Sequence, residues 1–165
     1  MIASDRDGRD VHTGLPPRTP EQLTKLLAWL DDLGASDELP DRVVVELAIE
    51  AGGIDPAKLT DDPLTQEYQR AARDALLLIA SKLGDYEFFI EGQRRGISLG
   101  VIYAPEEAIA DPHLVERGFP TEVWHDALGR TVTYPGAPVR FTASPWRIAH
   151  PAPSVGAHQH LLDDR

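Results

Sequence analysis

The chain contains no cysteine, which excludes disulfide bonds, thiolate metal sites and cysteine nucleophiles. It also lacks an apolar run long enough to cross a bilayer. The first residues, MIASDRDGRDVHTG, have no apolar core behind a basic start and so do not resemble a signal peptide. We therefore expect a cytoplasmic protein without a membrane partner.

Basic residues are also scarce, with 16 Lys and Arg against 27 Asp and Glu and a net charge of −11. They are spread along the chain, apart from Arg94-Arg95. Nucleic-acid binding needs clustered Lys and Arg, so we expect no nucleic-acid partner. A length of 165 residues with 42% hydrophobic residues is enough for one globular domain with a sizeable core.

Residues 1–18 are polar and show no periodic pattern. We expect them to be a disordered lead or a segment taken from a longer context. The next residues, from Thr19 to Gln22, have the composition of a capping box with proline at the first helical position. Leucines follow at helical spacing up to Gly34, and Trp29 lies on the flank of that apolar face, where we expect an interface position.

Further helices are predicted from the residues that commonly start and end helices, such as Asp-Pro and Gly. Residues 41–51 favour a helix over a strand, Asp62-Pro63 opens a long helix that reaches Leu83, and Asp85 is the expected cap of a helix through Arg95. Residues 97–102 alternate like a strand. Residues 104–107 are expected to start one short helix and Asp111-Pro112 another, followed by a hairpin that turns at Leu128-Gly129. Prolines preclude a long element beyond residue 135, and the whole pattern is α+β.

No cluster of chemically active residues stands out. His158 and His160, with His150 and Asp163 or Asp164, could supply zinc ligands, but their Pro/Gly context argues for exposed histidines and no metal site. The carboxylate pairs at 31–32 and 61–62 fit helix ends, and a third pair stands at 163–164. Ser98, Ser144 and Ser154 lack a nucleophile elbow, and Gly52-Gly53 is too short for a phosphate cradle.

Several motifs in the last third resemble the C-terminal portion of class III CoA-transferases, the CaiB/BaiF family. They are Asp111-Pro112-His113-Leu114 with Glu116-Arg117-Gly118-Phe119, then residues 134–141 (YPGAPVRF), Ser144-Pro145 and residues 152–158 (APSVGAH). Residues 96–103 (GISLGVIY) match the segment upstream of the first motif. The order and spacing of these motifs carry the resemblance, which extends from about Pro20 to the end.

The resemblance implies a division of the chain. Residues 1–18 would be a polar lead, residues 19–110 a small α+β domain, and residues 111–165 a hairpin and an extended Pro/Gly-rich strap that packs on a large domain. The Rossmann-like large domain would be largely absent. Family members form interlocked dimers, so a homodimer is expected of the complete enzyme, with an N-terminal half or subunit as partner. Coenzyme A would be a substrate and no cofactor would be tightly bound.

The family chemistry is nucleophilic catalysis by a carboxylate. An Asp attacks the acyl-CoA thioester to give a mixed anhydride, and the released CoA thiolate converts it to an aspartyl-CoA thioester from which the acceptor acid takes CoA. No position here matches that Asp, so we assign no catalytic residue, no metal ligand and no CoA-binding residue. Alternatives are an acyl-CoA racemase of the same family, a non-catalytic binding or assembly module, and a remnant without function.

Overall fold

A computed structural model describes residues 2–163, which divide into two compact units, residues 1–102 and residues 103–165. The first unit contains the helices α1 (Pro20–Asp32), α2 (Arg42–Glu50), α3 (Pro63–Lys82) and α4 (Asp85–Arg94). Its strands are β1 (Ile2–Ser4), β2 (Asp10–His12) and β3 (Gly100–Val101). Short 3-10 turns lie at Ser36–Glu38 and Pro56–Lys58.

The second unit contains α5 (Pro105–Ala110), α6 (Pro112–Glu116) and α7 (His160–Asp163), with the strands β4 (Pro120–His125) and β5 (Arg130–Pro135). The two strands form an antiparallel hairpin in which Val123 pairs with Val132. The mixture of helices with small antiparallel sheets confirms the α+β prediction. In the described part of the chain, no helix is both long and apolar enough to span a bilayer.

The expectation of a disordered lead is wrong for part of residues 1–18. β1 pairs with β2, and β2 pairs in turn with β3, where Val11 lies opposite Val101. The side chains of Val11 and Thr13 are fully buried. A strand of three residues has too few positions to display an alternating pattern. β2 is therefore ordered by its pairing with β3, which the local sequence does not indicate.

Helix α1 begins as its sequence predicts. Thr19 is the N-cap, its hydroxyl accepts a hydrogen bond from the Gln22 amide at 3.2 Å, and the Gln22 side chain accepts one from the Thr19 amide at 3.3 Å. Helices α2 and α3 also form as expected. The cap of α4 differs: Gly84 is the N-cap, and Asp85 is the first helical residue and forms an ion pair with Arg9 at 3.1 Å.

The core of the first unit is built from all four of its helices, α1 to α4. Trp29 is 1% exposed and stacks on the Phe88 ring, with centroids 5.7 Å apart and planes inclined by 20°. The guanidinium of Arg95 lies 5.2 Å from the Trp29 ring centroid. The predicted interface position of Trp29 is therefore wrong, since α4 covers the flank of α1 and buries the indole. Other fully buried side chains are Leu23, Leu26, Leu30, Val45, Leu76 and Ile79.

The predicted strand over residues 97–102 is shorter in the structure. Only Gly100 and Val101 enter the ladder. Ile97 is buried in the core instead, and its amide donates to the carbonyl of Gly92 at the end of α4. The second unit differs sharply from the first, because within residues 103–163 no hydrophobic side chain is buried.

Candidate functional site

The motifs that predicted the family lie in the second unit, apart from residues 96–102, and Asp111 organises the first motif of that unit. One oxygen of its carboxylate accepts hydrogen bonds from the amides of His113 at 3.0 Å and Leu114 at 3.2 Å, which caps α6. The other oxygen accepts a hydrogen bond from the Tyr103 hydroxyl at 3.0 Å. Both oxygens are thus engaged, and Asp111 fixes the turn between α5 and α6.

Arg117 joins the first motif to the segment after β5. Its Nη2 donates to the carbonyl oxygens of Pro138 at 3.0 Å and Ala137 at 3.3 Å. Arg140 donates in return to the Arg117 carbonyl. Two motifs about 20 residues apart in sequence are therefore locked together by reciprocal arginine-to-carbonyl bonds.

Gly136 lies at the closest approach of these two segments. A Cβ at this position would be 2.1 Å from the Phe119 carbonyl oxygen and 2.6 Å from Oγ1 of Thr121. The first obstacle is backbone and cannot rotate away, so only glycine fits. The Tyr-Pro-Gly sequence is thereby explained by packing against Phe119 and Thr121.

Two polar rings, a buried His125 and a half-buried Tyr134, lie on one face of the hairpin. His125 is 8% exposed, and its Nε2 lies 2.5 Å from the hydroxyl oxygen of Tyr134, with ring centroids 5.4 Å apart. The same oxygen accepts a hydrogen bond from the Ala152 amide at 3.0 Å. Sequence reasoning did not pair these residues. The pairing of residue 121 with 134 and of 125 with 130 places both side chains on one face, which strand alternation could have indicated.

The candidate metal ligands do not assemble. The rings of His158 and His160 meet edge-on with centroids 6.5 Å apart. The side chain of Asp163 and all of Asp164 lie outside the described residues. Within the described part of the chain, no group of three or more His, Asp or Glu side chains could hold a metal ion.

Three of the four carboxylates in the first two pairs have structural partners. Asp31 forms an ion pair with Arg42 at 2.9 Å, and hydrogen bonds from Ser36 and then Arg42 hold its pKa below the ordinary value. Asp32 forms an ion pair with Arg95 at 2.8 Å. Asp62 caps α3 through the amides of Leu64 and Thr65, whereas Asp61 is exposed.

The remaining candidates are separate from one another. Ser98, Ser144 and Ser154 are exposed, and their hydroxyls make no hydrogen bond within residues 2–163. Gly52 and Gly53 both have positive φ and form the turn after α2. The structure therefore brings together the motif residues of the second unit, through contacts that shape the backbone, and does not bring together a catalytic set.

Comparison with known proteins agrees with the motif pattern. The family model described as CoA-transferase family III matches residues 57–159, more than half of the chain. A curated relative is the succinyl-CoA:(R)-benzylsuccinate CoA-transferase subunit BbsE of Thauera aromatica. It is 28% identical over 118 residues, which cover 67% of this chain and 29% of the relative. The chain thus spans less than a third of the length of this relative.

Proposed function

Because this chain belongs to CoA-transferase family III, we propose that it is the C-terminal part of an acyl-CoA:carboxylate CoA-transferase that acts with an N-terminal half or subunit. In that enzyme, CoA would pass between carboxylic acids through a covalent Asp intermediate on the N-terminal half. Acyl-CoA would be the substrate, with no tightly bound cofactor. This extends the family assignment to a division of labour between two parts.

The carboxylates of this chain support placing the nucleophile elsewhere. Both oxygens of Asp111, the only Asp in the family motifs, hold α6 and Tyr103. Both oxygens of Asp62 are likewise occupied by the amides and hydroxyl at the start of α3. The hydrogen bonds of both side chains serve the start of a helix, which supports a structural role for these two carboxylates and a nucleophile on the N-terminal half.

The single observation that carries the proposal is the contrast between the two units. The motif contacts of the second unit are complete, yet within residues 103–163 no hydrophobic side chain is buried. Its exposed large hydrophobic residues are Val115, Trp124, Leu128, Val139, Phe141, Trp146, Val155, Leu161 and Leu162. Apolar surface on this scale needs a covering surface. A large domain, its own or that of a dimer partner, would supply it.

We propose that the first unit corresponds largely to the small domain expected over residues 19–110, and the second to the hairpin and strap expected over residues 111–165. Cytoplasmic location and an interlocked homodimer of the complete enzyme belong to the same proposal. An acyl-CoA racemase of this family is the alternative enzyme. Its acid and base would also be carried by the N-terminal half.

The test is reconstitution. The purified chain, incubated with acyl-CoA donors and carboxylic acids, is expected to show no CoA exchange by mass spectrometry, whereas co-expression with an N-terminal CoA-transferase half should restore it. CoA exchange by the isolated chain would contradict the proposal. If the reconstituted complex instead exchanges the α-proton of a 2-methylacyl-CoA with D₂O and transfers no CoA, the racemase is correct. A stable complex with neither activity would support a binding module.

A further inference from the structure

Two cations between residues 2 and 102 form no ion pair with a described carboxylate. Of the eleven Lys and Arg residues between positions 2 and 102, nine form ion pairs with Asp or Glu. These nine are Arg6, Arg9, Lys25, Arg42, Arg70, Arg73, Lys82, Arg94 and Arg95. Arg18 and Lys58 form none within the described residues. In a chain of net charge −11, these two side chains are therefore available to pair with an anion from outside the chain.

Both unpaired cations line the same cleft. Its volume is about 670 Å³, and it lies between the start of α1, the turn after α2 and the start of α3. Arg18 and Lys58 are 40 positions apart in sequence, so no local pattern places them together. Ile54 and Leu64 add apolar surface to the lining. The cleft therefore combines positive charge with an apolar wall, as sites for small organic acids do.

A third unsatisfied donor lies in the lining. The Tyr68 side chain is only 8% exposed and its hydroxyl makes no hydrogen bond within residues 2–163. Unlike that hydroxyl, the Nε of Arg18 is a buried atom, and it lacks a hydrogen-bond partner within the described residues. Buried polar groups normally have partners. The Nε of Arg18 thus indicates that an acceptor belongs in this cleft, and the Tyr68 hydroxyl can supply a further donor to it.

Two carboxylates also line the cleft, and the start of a helical turn engages each of them. Asp55 accepts a hydrogen bond from the Ala57 amide at 2.9 Å. Asp62 accepts bonds from the amides of Leu64 and Thr65 and from the Thr65 hydroxyl. Lys58 helps to lower the pKa of Asp62 but forms no ion pair with it. The acceptors of Asp62 are therefore already used, whereas the donors of Arg18, Lys58 and Tyr68 remain unused.

The backbone holds Arg18 in position. The Ile54 amide donates to the Arg18 carbonyl at 2.8 Å. Gly53, with φ of 103°, allows this approach, because a Cβ there would be 2.4 Å from the same carbonyl oxygen. The turn after α2 is thus tied to the residue before the α1 cap, and the cleft is formed before any ligand arrives.

We propose that this cleft binds the oxyanion of a small organic acid, a carboxylate or a phosphate monoester, with Arg18, Lys58 and Tyr68 as donors and the apolar part against Ile54 and Leu64. The inference does not depend on the CoA-transferase proposal, since the isolated chain contains the whole cleft.

The test uses the full chain, labelled with ¹⁵N and titrated by NMR with benzoate, phenyl phosphate and the neutral benzyl alcohol. We expect saturable shifts at residues 18, 53, 54, 58 and 68 with an acid and none with the alcohol. The tighter of the two acids identifies the oxyanion. Arg18→Gln, Lys58→Gln and Tyr68→Phe should each weaken binding by about tenfold or more, as for hydrogen bonds to charged groups. Added salt should also weaken binding.

Arg70→Gln is the matched control, since Arg70 is an exposed arginine of α3 already paired with Glu67 at 3.3 Å. It should bind like the parent. Amide spectra of each variant establish that the fold is kept. If Arg18→Gln unfolds, the effect on acid binding is read from Tyr68→Phe, which removes only the hydroxyl oxygen. Absence of saturable shifts at these residues up to 10 mM of either acid, equal binding of the alcohol, or parent-like binding by Lys58→Gln and Tyr68→Phe would each overturn the proposal.

Discussion

The hydroxyl oxygen of Tyr134 lies 2.5 Å from Nε2 of His125 and accepts a hydrogen bond from the Ala152 amide at 3.0 Å, so one phenol joins the hairpin to the segment at residue 152. Tyr134→Phe removes that junction and leaves the His125 ring unsatisfied. A hydrogen bond of this kind contributes about 1 kcal/mol. We therefore expect the Ala152 amide to exchange with solvent at least several-fold faster in the variant, measured by hydrogen–deuterium exchange.

Tyr86→Phe is the control for this measurement, because Tyr86 is 48% exposed and its hydroxyl has no partner within residues 2–163. It should leave the exchange of the Ala152 amide unchanged. Unchanged exchange in Tyr134→Phe would show that the segment at residue 152 is held by other contacts.

Gly136→Ala should disrupt the lock between the two arginine motifs. The added Cβ would overlap the Phe119 carbonyl, so the backbone must move and the bonds from Arg117 to residues 137 and 138 must break. We expect chemical-shift changes across β4 and β5. Gly100→Ala is the control, because its Cβ would meet the Cβ of His12 at an ordinary 3.6 Å. A hairpin spectrum identical to the parent in Gly136→Ala would contradict this packing.

The stack of Trp29 on Phe88 should dominate the stability of the first unit. Phe88→Ala removes a fully buried ring and should lower the free energy of unfolding by about 3–5 kcal/mol. Urea unfolding followed by helical circular dichroism measures this change. Phe141→Ala, at a position 61% exposed, should leave the same transition in place.

The capping box of α1 should contribute measurably to the free energy of unfolding. Thr19→Ala removes the hydroxyl that accepts the Gln22 amide and should cost about 1 kcal/mol in urea unfolding. Thr60→Ala is matched to it, because the Thr60 hydroxyl makes no hydrogen bond within residues 2–163. Equal stability of the two variants would mean that the cap contributes nothing.

Acid should weaken the cap of α3. The Thr65 hydroxyl, and then the amides of Thr65 and Leu64, hold the pKa of Asp62 below its ordinary value. An unfolded Asp titrates at about pH 4. The stabilisation from ionised Asp62 is therefore complete above that pH and is lost as the pH falls through the lowered folded pKa.

The unfolding free energy should accordingly fall with pH below about 4, and Asp62→Asn should reduce the slope while still capping the helix. Urea unfolding between pH 3 and 5 measures it. Asp61→Asn is the control, since its carboxylate accepts no hydrogen bond within residues 2–163. A slope in Asp62→Asn equal to that of the parent would contradict the assignment.

The helices could be predicted because their determinants are local. Thr19 and Asp62 are followed by proline at the first helical position, and both cap their helices as expected. The hairpin was likewise indicated by the turn at Leu128-Gly129. In these segments, capping, periodicity and turn chemistry agree over a short stretch of chain.

What could not be predicted depends on distant contacts. β2 is a strand because residue 101 pairs with it, and Trp29 is buried because Phe88 covers it. The cleft at Arg18 and Lys58 requires the turn after α2 to meet the start of α1. The family motifs indicated the family, yet their residues stabilise the backbone. Asp111 accepts hydrogen bonds from two amides and the Tyr103 hydroxyl, and Arg117 donates to two carbonyl oxygens.

The central position of β2 in its sheet also determines where the first unit could be cut and rejoined. Ile2 pairs with His12, and His12 pairs with Gly100, so the two ends of the unit are two strand spacings apart, about 10 Å. A short linker from residue 102 to residue 2, with new termini in the turn at Gly34, would give a circular permutant with every strand pairing kept. Because its two ends lie close together, the unit could also be inserted into a loop of another protein without separating the ends of that loop.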